Sequence, residues 1–133
     1  MAQAVAPRVN RRTVGAIADG AFKVVLALAC LAGAAPLGRL LGTSTWLMAV
    51  AGVVLLVGGV VEIGYTRSRS MRTYTRLMIA YDSGWVLTAL IGALIAWRGG
   101  SAGGEVWIGY QAVAPLVFAV LLIVAKPART ASD

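Results

Sequence analysis

Four ionisable side chains stand where an apolar chain should have none. Asp19 and Lys23 lie inside the apolar run 14–35, Glu62 lies near the end of a second run, and Asp82 near the start of a third. A charge in hydrocarbon costs a few kcal/mol or more, so such residues face a protein interior and mark functional sites by default. On a helix, Lys23 falls on the face of Asp19, four residues earlier, and its stem leans back toward that carboxylate. At about 1.5 Å of rise per residue, Asp19 and Asp82 each sit about 7–8 Å into their runs and Lys23 about 14 Å. Glu62 is shallower by about 3 Å on the same scale, within reach of Arg67 or Arg69 at the interface.

Three carboxylates and one ammonium at similar depth can do acid–base chemistry. An apolar setting favours the neutral form of a carboxyl group, the form that a general acid or proton carrier needs. With Asp82 as acid, Asp19 as base and Lys23 and Glu62 completing the cluster, such a site could open an epoxide or protonate an alkene while apolar walls exclude water. Trp85, one turn beyond Asp82, together with Tyr81 and Tyr65 would line the substrate. The plainer reading makes Asp19–Lys23 a structural ion pair, Asp82 an alternative partner for Lys23, and Glu62 a surface residue.

The elements that must position these residues are membrane helices. The chain has 133 residues, 59% hydrophobic and 13% charged, with a mean hydropathy of +0.83. A soluble domain of that size could not hide so much apolar surface. Apolar runs at 14–35, 45–65, 77–97 and 106–125 are each about as long as the roughly 20 residues that span a bilayer. They are continuous rather than alternating, which favours helices over barrel strands. The predicted fold is an all-α, four-helix up-down-up-down transmembrane bundle. Residues 1–13 form an N-terminal segment and 126–133 a tail. Pro36 is expected to stop the first helix and to open a short turn through Ser44. Pro115 is read as a packing kink, Cys30 as a small apolar filler, and Tyr110 and Gln111 as interfacial.

Arginine and lysine set the orientation. Arg8, Arg11, Arg12, Arg67, Arg69, Arg72, Arg76, Lys126 and Arg129 fall on one side; Arg39 and Arg98 fall on the other. Both termini and the loop 66–76 are therefore expected in the cytoplasm, in a bacterial plasma membrane. Trp46, Trp97 and Trp107 mark the outer interface, and Tyr65, Tyr74 and Tyr81 lie near the inner one. Small residues prepare close helix contacts: Gly84, Thr88, Gly92 and Ala96 on the third helix, with Asp82 on its roughly opposite face. Ala27 and Cys30 share the Asp19 face of the first helix, and Ala51 and Gly58 the Glu62 face of the second.

Several functions are disfavoured. The sequence has no histidine and one cysteine, which removes internal disulfides and weakens metal, haem and imidazole chemistry. No cofactor or metal is expected. The net charge of +7 lies at the ends of apolar runs, so contact with anionic lipid explains it better than nucleic acid.

Ala18-Asp19-Gly20 in the first helix, Pro36-Leu37 followed by Leu40-Leu41-Gly42, the Arg-rich loop and an acid three residues before Trp85 form a pattern over most of residues 11–97. In these the chain resembles a broad group of small four-helix bacterial membrane proteins common in actinobacteria. The resemblance implies the four-helix topology and makes Asp19 and the Asp82/Trp85 pair part of the pattern; the group brings no agreed activity with it. Three functions follow in order of weight. The first is an accessory or lipid-interacting subunit, working beside membrane lipids and a larger membrane partner or a second copy. The second is an intramembrane acid–base enzyme for a hydrophobic small-molecule substrate. The third is a small proton-coupled transporter, disfavoured by the one-sided charge and by Lys23 beside the acid.

Overall fold

The computed structural model describes residues 11–65 and 68–127. It is all-α among these residues, with helices α1 (Arg11–Ala32), α2 (Ala34–Leu41), α3 (Thr45–Tyr65), α4 (Met71–Trp97) and α5 (Gly103–Val124). Four of them, α1, α3, α4 and α5, are long and apolar enough to cross a membrane. At about 1.5 Å per residue they run to about 30–40 Å, against the roughly 30 Å of a hydrocarbon core.

The differences from the sequence expectation have local causes. Pro36 does not end the helical path. The break comes earlier, at Gly33, and Pro36 sits in the first turn of α2, where its missing N–H leaves nothing unpaired. Gly42 closes α2 in the left-handed region at φ 68°, with its N–H and that of Thr43 bonded back to the carbonyls of Arg39 and Gly38. Helix α4 starts at Met71 rather than Leu77, because Ser70 caps it: its hydroxyl accepts from the Thr73 N–H at 3.2 Å. Half of the basic loop is therefore helix. Arg8, Arg67, Arg129 and the side chain of Arg12 lie outside the described residues.

The spanning helices pack in the order α1, α3, α5, α4. Contacts down each pair fix their directions. Gly20 meets Gly59 while Ala27 and Leu31 meet Gly52, so α1 and α3 are antiparallel. Arg69 reaches the end of α5 and Gly92 meets Gly103, so α4 and α5 are antiparallel as well. Successive spans alternate in direction, yet α4 makes its extensive contact with α5 alone. It reaches α1 and α3 through long side chains across a gap.

Small residues permit the close contacts. A Cβ on Gly59 would stand 2.7 Å from the Gly20 carbonyl oxygen, so only glycine allows this crossing. Gly58 admits Pro115, whose ring would lie 3.0 Å from an added Cβ. Pro115 stays inside α5, and it has no N–H to offer the carbonyl of Gln111 one turn back. Two apolar clusters result. Ala27, Cys30, Met48, Ala51, Leu55 and Ile108 fill the half toward α2; Ala16, Tyr74, Tyr81, Phe118 and Leu122 fill the half toward the arginines.

Candidate functional site

Lys23 lies on α1 between these two clusters and is 2% exposed. Its Nζ stands 2.5 Å from Asp19 Oδ2, one turn earlier, and 2.5 Å from Glu62 Oε2 on α3. The near-touching backbones at Gly20 and Gly59 are what bring α1 and α3 close enough for this bridge. Glu62 is fully buried, and its other oxygen, Oε1, accepts from the Tyr74 hydroxyl of α4 at 2.5 Å. The rings of Tyr81 and Phe118 complete the enclosure, with their centroids 4.4 and 4.6 Å from Nζ. Ring faces carry negative potential, so they favour the ammonium where water is absent.

A buried ion pair survives only if its geometry is good and its remaining donors and acceptors are met. That condition holds here. The ammonium has two carboxylates and two ring faces, and Glu62 has Lys23 and Tyr74. Four helices meet around Lys23: α1 by Asp19 and Lys23, α3 by Glu62, α4 by Tyr74 and Tyr81, and α5 by Phe118.

Glu62 departs from its sequence reading. It does not turn to the interface, and Arg69 has other partners. The Arg69 guanidinium donates to the carbonyls of Leu122 and Ile123, both at 2.9 Å, and lies over the Tyr65 ring at 4.8 Å. It therefore satisfies carbonyls at the end of α5, groups that a helix end leaves unpaired. Tyr65 belongs to this cap and not to the ionic cluster.

Asp82 is not the partner of Lys23. It is exposed on α4 and lines a cleft of about 210 Å³ with Asp19, Phe22, Lys23, Tyr81, Trp85 and Gln111 among its neighbours. No hydrogen bond or ion pair reaches Asp82 among the described residues. Trp85 stands beside it and meets Trp107 edge to face at 6.2 Å.

No family model, curated protein or solved structure matches the chain. The resemblance drawn from short motifs over most of residues 11–97 thus carries no family assignment.

Two side chains read as interfacial are not. Gln111 is fully buried, its Oε1 accepting from the Tyr81 hydroxyl at 3.4 Å. Tyr110 donates to the Tyr81 carbonyl at 2.5 Å, and its ring covers Gly84. The sequence reading also passed over Tyr74 and Phe118 as site residues. A signal for Tyr74 was present: with the helix begun at the Ser70 cap, Tyr74, Met78, Tyr81 and Trp85 fall on one face at alternating four- and three-residue spacing. Among the described residues no group of histidine, cysteine and acidic side chains is arranged to hold a metal ion.

Proposed function

We propose that this protein is an accessory, lipid-interacting subunit of a bacterial plasma membrane, with the arginine-rich end in the cytoplasm and the ionic network as an internal tie. The observation that supports this most is the saturation of Lys23. Its ammonium is divided between two carboxylates at 2.5 Å and enclosed by two rings. A residue that turns over protons must exchange them with a substrate, and Lys23 is committed to Asp19 and Glu62, and Glu62 to Tyr74 as well. The orientation follows from Arg69, Arg72, Arg76 and Lys126 at one end against Arg39 and Arg98 at the other. A larger membrane partner or a second copy would meet α4, which packs extensively on α5 alone and exposes Leu87, Leu90 and Leu94.

Two experiments test this. With Cys30 replaced by serine, single cysteines at Ser68 and Ser101 are labelled in intact cells with an impermeant maleimide. Labelling at position 101 alone fits the proposed orientation; labelling at 68 alone reverses it. Native mass spectrometry of complexes extracted from the host membrane tests the subunit role. A defined complex lost on Leu90→Arg supports it, and a lone monomer with intact activity on a lipophilic substrate sinks it.

A second reading rests on Asp82, which shares the cleft with Asp19 and has no ion-pair partner among the described residues. An acid–base enzyme acting on a hydrophobic substrate would use these two carboxylates as acid and base. Lipid extracts from cells carrying Asp82→Asn would then accumulate an unprocessed lipophilic compound; unchanged extracts exclude this reading.

A further inference from the structure

The cleft between α1 and α4 is graded in depth. Phe22 and Asp82 are exposed at its mouth and Trp85 is half-buried, while Lys23, Leu55, Tyr81 and Gln111 are buried at its floor. Its charge is unbalanced. Among the residues that line it, Asp19 and Asp82 set two carboxylates against the one ammonium of Lys23, a formal sum of −2 + 1 = −1 when all are ionised. Lys23 is already engaged by Asp19 and Glu62, so Asp82 is the carboxylate left to find a cation.

The floor carries an independent sign of a missing partner. Gln111 is fully buried, and its Nε2 has no hydrogen-bond partner among the described residues. Turning the amide over would give Nε2 the Tyr81 hydroxyl and leave Oε1 bare, so one polar end faces nothing in either setting. An unmet buried polar group forfeits the hydrogen bond it had in water, and a ligand atom would restore it.

Size and walls narrow the occupant. The volume of about 210 Å³ is below the roughly 300–1,000 Å³ of pockets that enclose a drug-sized molecule, so the cleft suits a head group. Phe22, Leu26, Leu55 and Trp85 supply apolar walls. Because α4 does not pack closely on α1, a tail can leave sideways between them into lipid.

We propose that this cleft binds the head of a lipophilic amino alcohol. Its protonated amine donates to Asp82 and Asp19, its hydroxyl oxygen accepts from Gln111 Nε2, and its alkyl chain passes between Phe22 and Trp85. The amine supplies the absent positive charge and the hydroxyl supplies the absent acceptor. A neutral diol lacks the charge, and a quaternary ammonium lacks the N–H. The proposal requires a membrane-spanning chain but not the accessory role, so either can fail without the other.

The test uses the full chain in phosphatidylcholine nanodiscs and radiolabelled N-dodecylethanolamine. Saturable binding of one molecule per chain is expected. Asp82→Asn should weaken it by at least about tenfold, as the loss of a charge-assisted hydrogen bond implies. Gln111→Leu should weaken it by about threefold or more, and Asp82→Glu should largely retain it. On the unaltered protein, 1,2-dodecanediol and dodecyltrimethylammonium should each compete poorly, as should ethanolamine without a chain. That series needs no variant to fold. Non-saturable uptake would mean that the amine only partitions into the bilayer, and saturable binding unchanged in Asp82→Asn would place it away from this cleft; either result overturns the proposal. Equal competition by the neutral diol would also overturn the proposal.

Discussion

Replacing Lys23 by methionine is the sharpest test of the ionic network, because it removes the charge while keeping most of the side-chain volume. The variant takes the ammonium from Glu62, which is fully buried, and leaves Asp19, whose side chain is 22% exposed, to turn toward the cleft. Removing one partner of a buried pair costs about 3–5 kcal/mol. The two ring faces over Nζ, at 4.4 and 4.6 Å, lose their cation at the same time. A loss of about 4 kcal/mol is therefore expected for Lys23→Met. Glu62→Leu should cost a similar amount, since it leaves the ammonium with Asp19 alone and takes the acceptor from the Tyr74 hydroxyl. The double variant is different. With both charges gone, the interior loses its ion pair but also the penalty of holding it out of water. The orphaned Tyr74 hydroxyl, with only Met78 Sδ at 3.7 Å to turn to, leaves a net cost of about 1–3 kcal/mol. The cycle then gives a coupling of several kcal/mol, well above the scatter of about 0.5 kcal/mol between independent sites. Reversible unfolding in mixed micelles, followed by tryptophan fluorescence, measures all four corners. A neutral Lys23→Met, or a double variant as damaged as the sum of the singles, would refute the tie.

Asp82→Asn should leave unfolding within about 0.5 kcal/mol of the parent, since no ion pair is lost; a loss as large as that of Lys23→Met would place Asp82 in the network after all. Gly59→Ala should destabilise by about 1–3 kcal/mol, because its Cβ would meet the Gly20 carbonyl oxygen at 2.7 Å and force α1 off α3; an unchanged unfolding midpoint would disprove that crossing. Arg69→Ala should cost about 1–2 kcal/mol through the carbonyls of Leu122 and Ile123, with Arg69→Lys restoring only part of it, because an ammonium cannot copy the planar fork; full rescue by lysine would argue against the two-carbonyl contact. Cys30 is buried at 2% exposure, so its modification by maleimide in micelles should track global unfolding; rapid labelling of the folded protein would contradict the α1–α3 core.

What the sequence determined by itself is what depends on local pattern. Long apolar runs must hydrogen-bond their own backbone in lipid, and helices do that within one segment, so the all-α class and the four spans were legible. So was the Asp19–Lys23 contact, because four-residue spacing on a helix is a local distance. The small residues of α1 and α3 were legible as packing faces, since only size had to be read. Helix ends are less legible: Pro36 resembles a stop although a first turn accepts it, and the Ser70 cap lies hidden in a polar, arginine-rich stretch.

Tertiary structure decided which helices are neighbours, and with that the meaning of each polar residue. Glu62 became the second partner of Lys23 because Gly20 and Gly59 let two backbones touch. Asp82, at the same depth as Asp19, was left in a cleft because α4 leans on α5 and stands away from α1. Gln111 and Tyr110 turned inward because Gly58 receives Pro115 and draws α5 onto α3. Depth along a helix can be counted from sequence, but the azimuth of one helix around another is set by close contacts between segments far apart in the chain. The difference between a tied ion pair and an unpaired carboxylate lies in that azimuth.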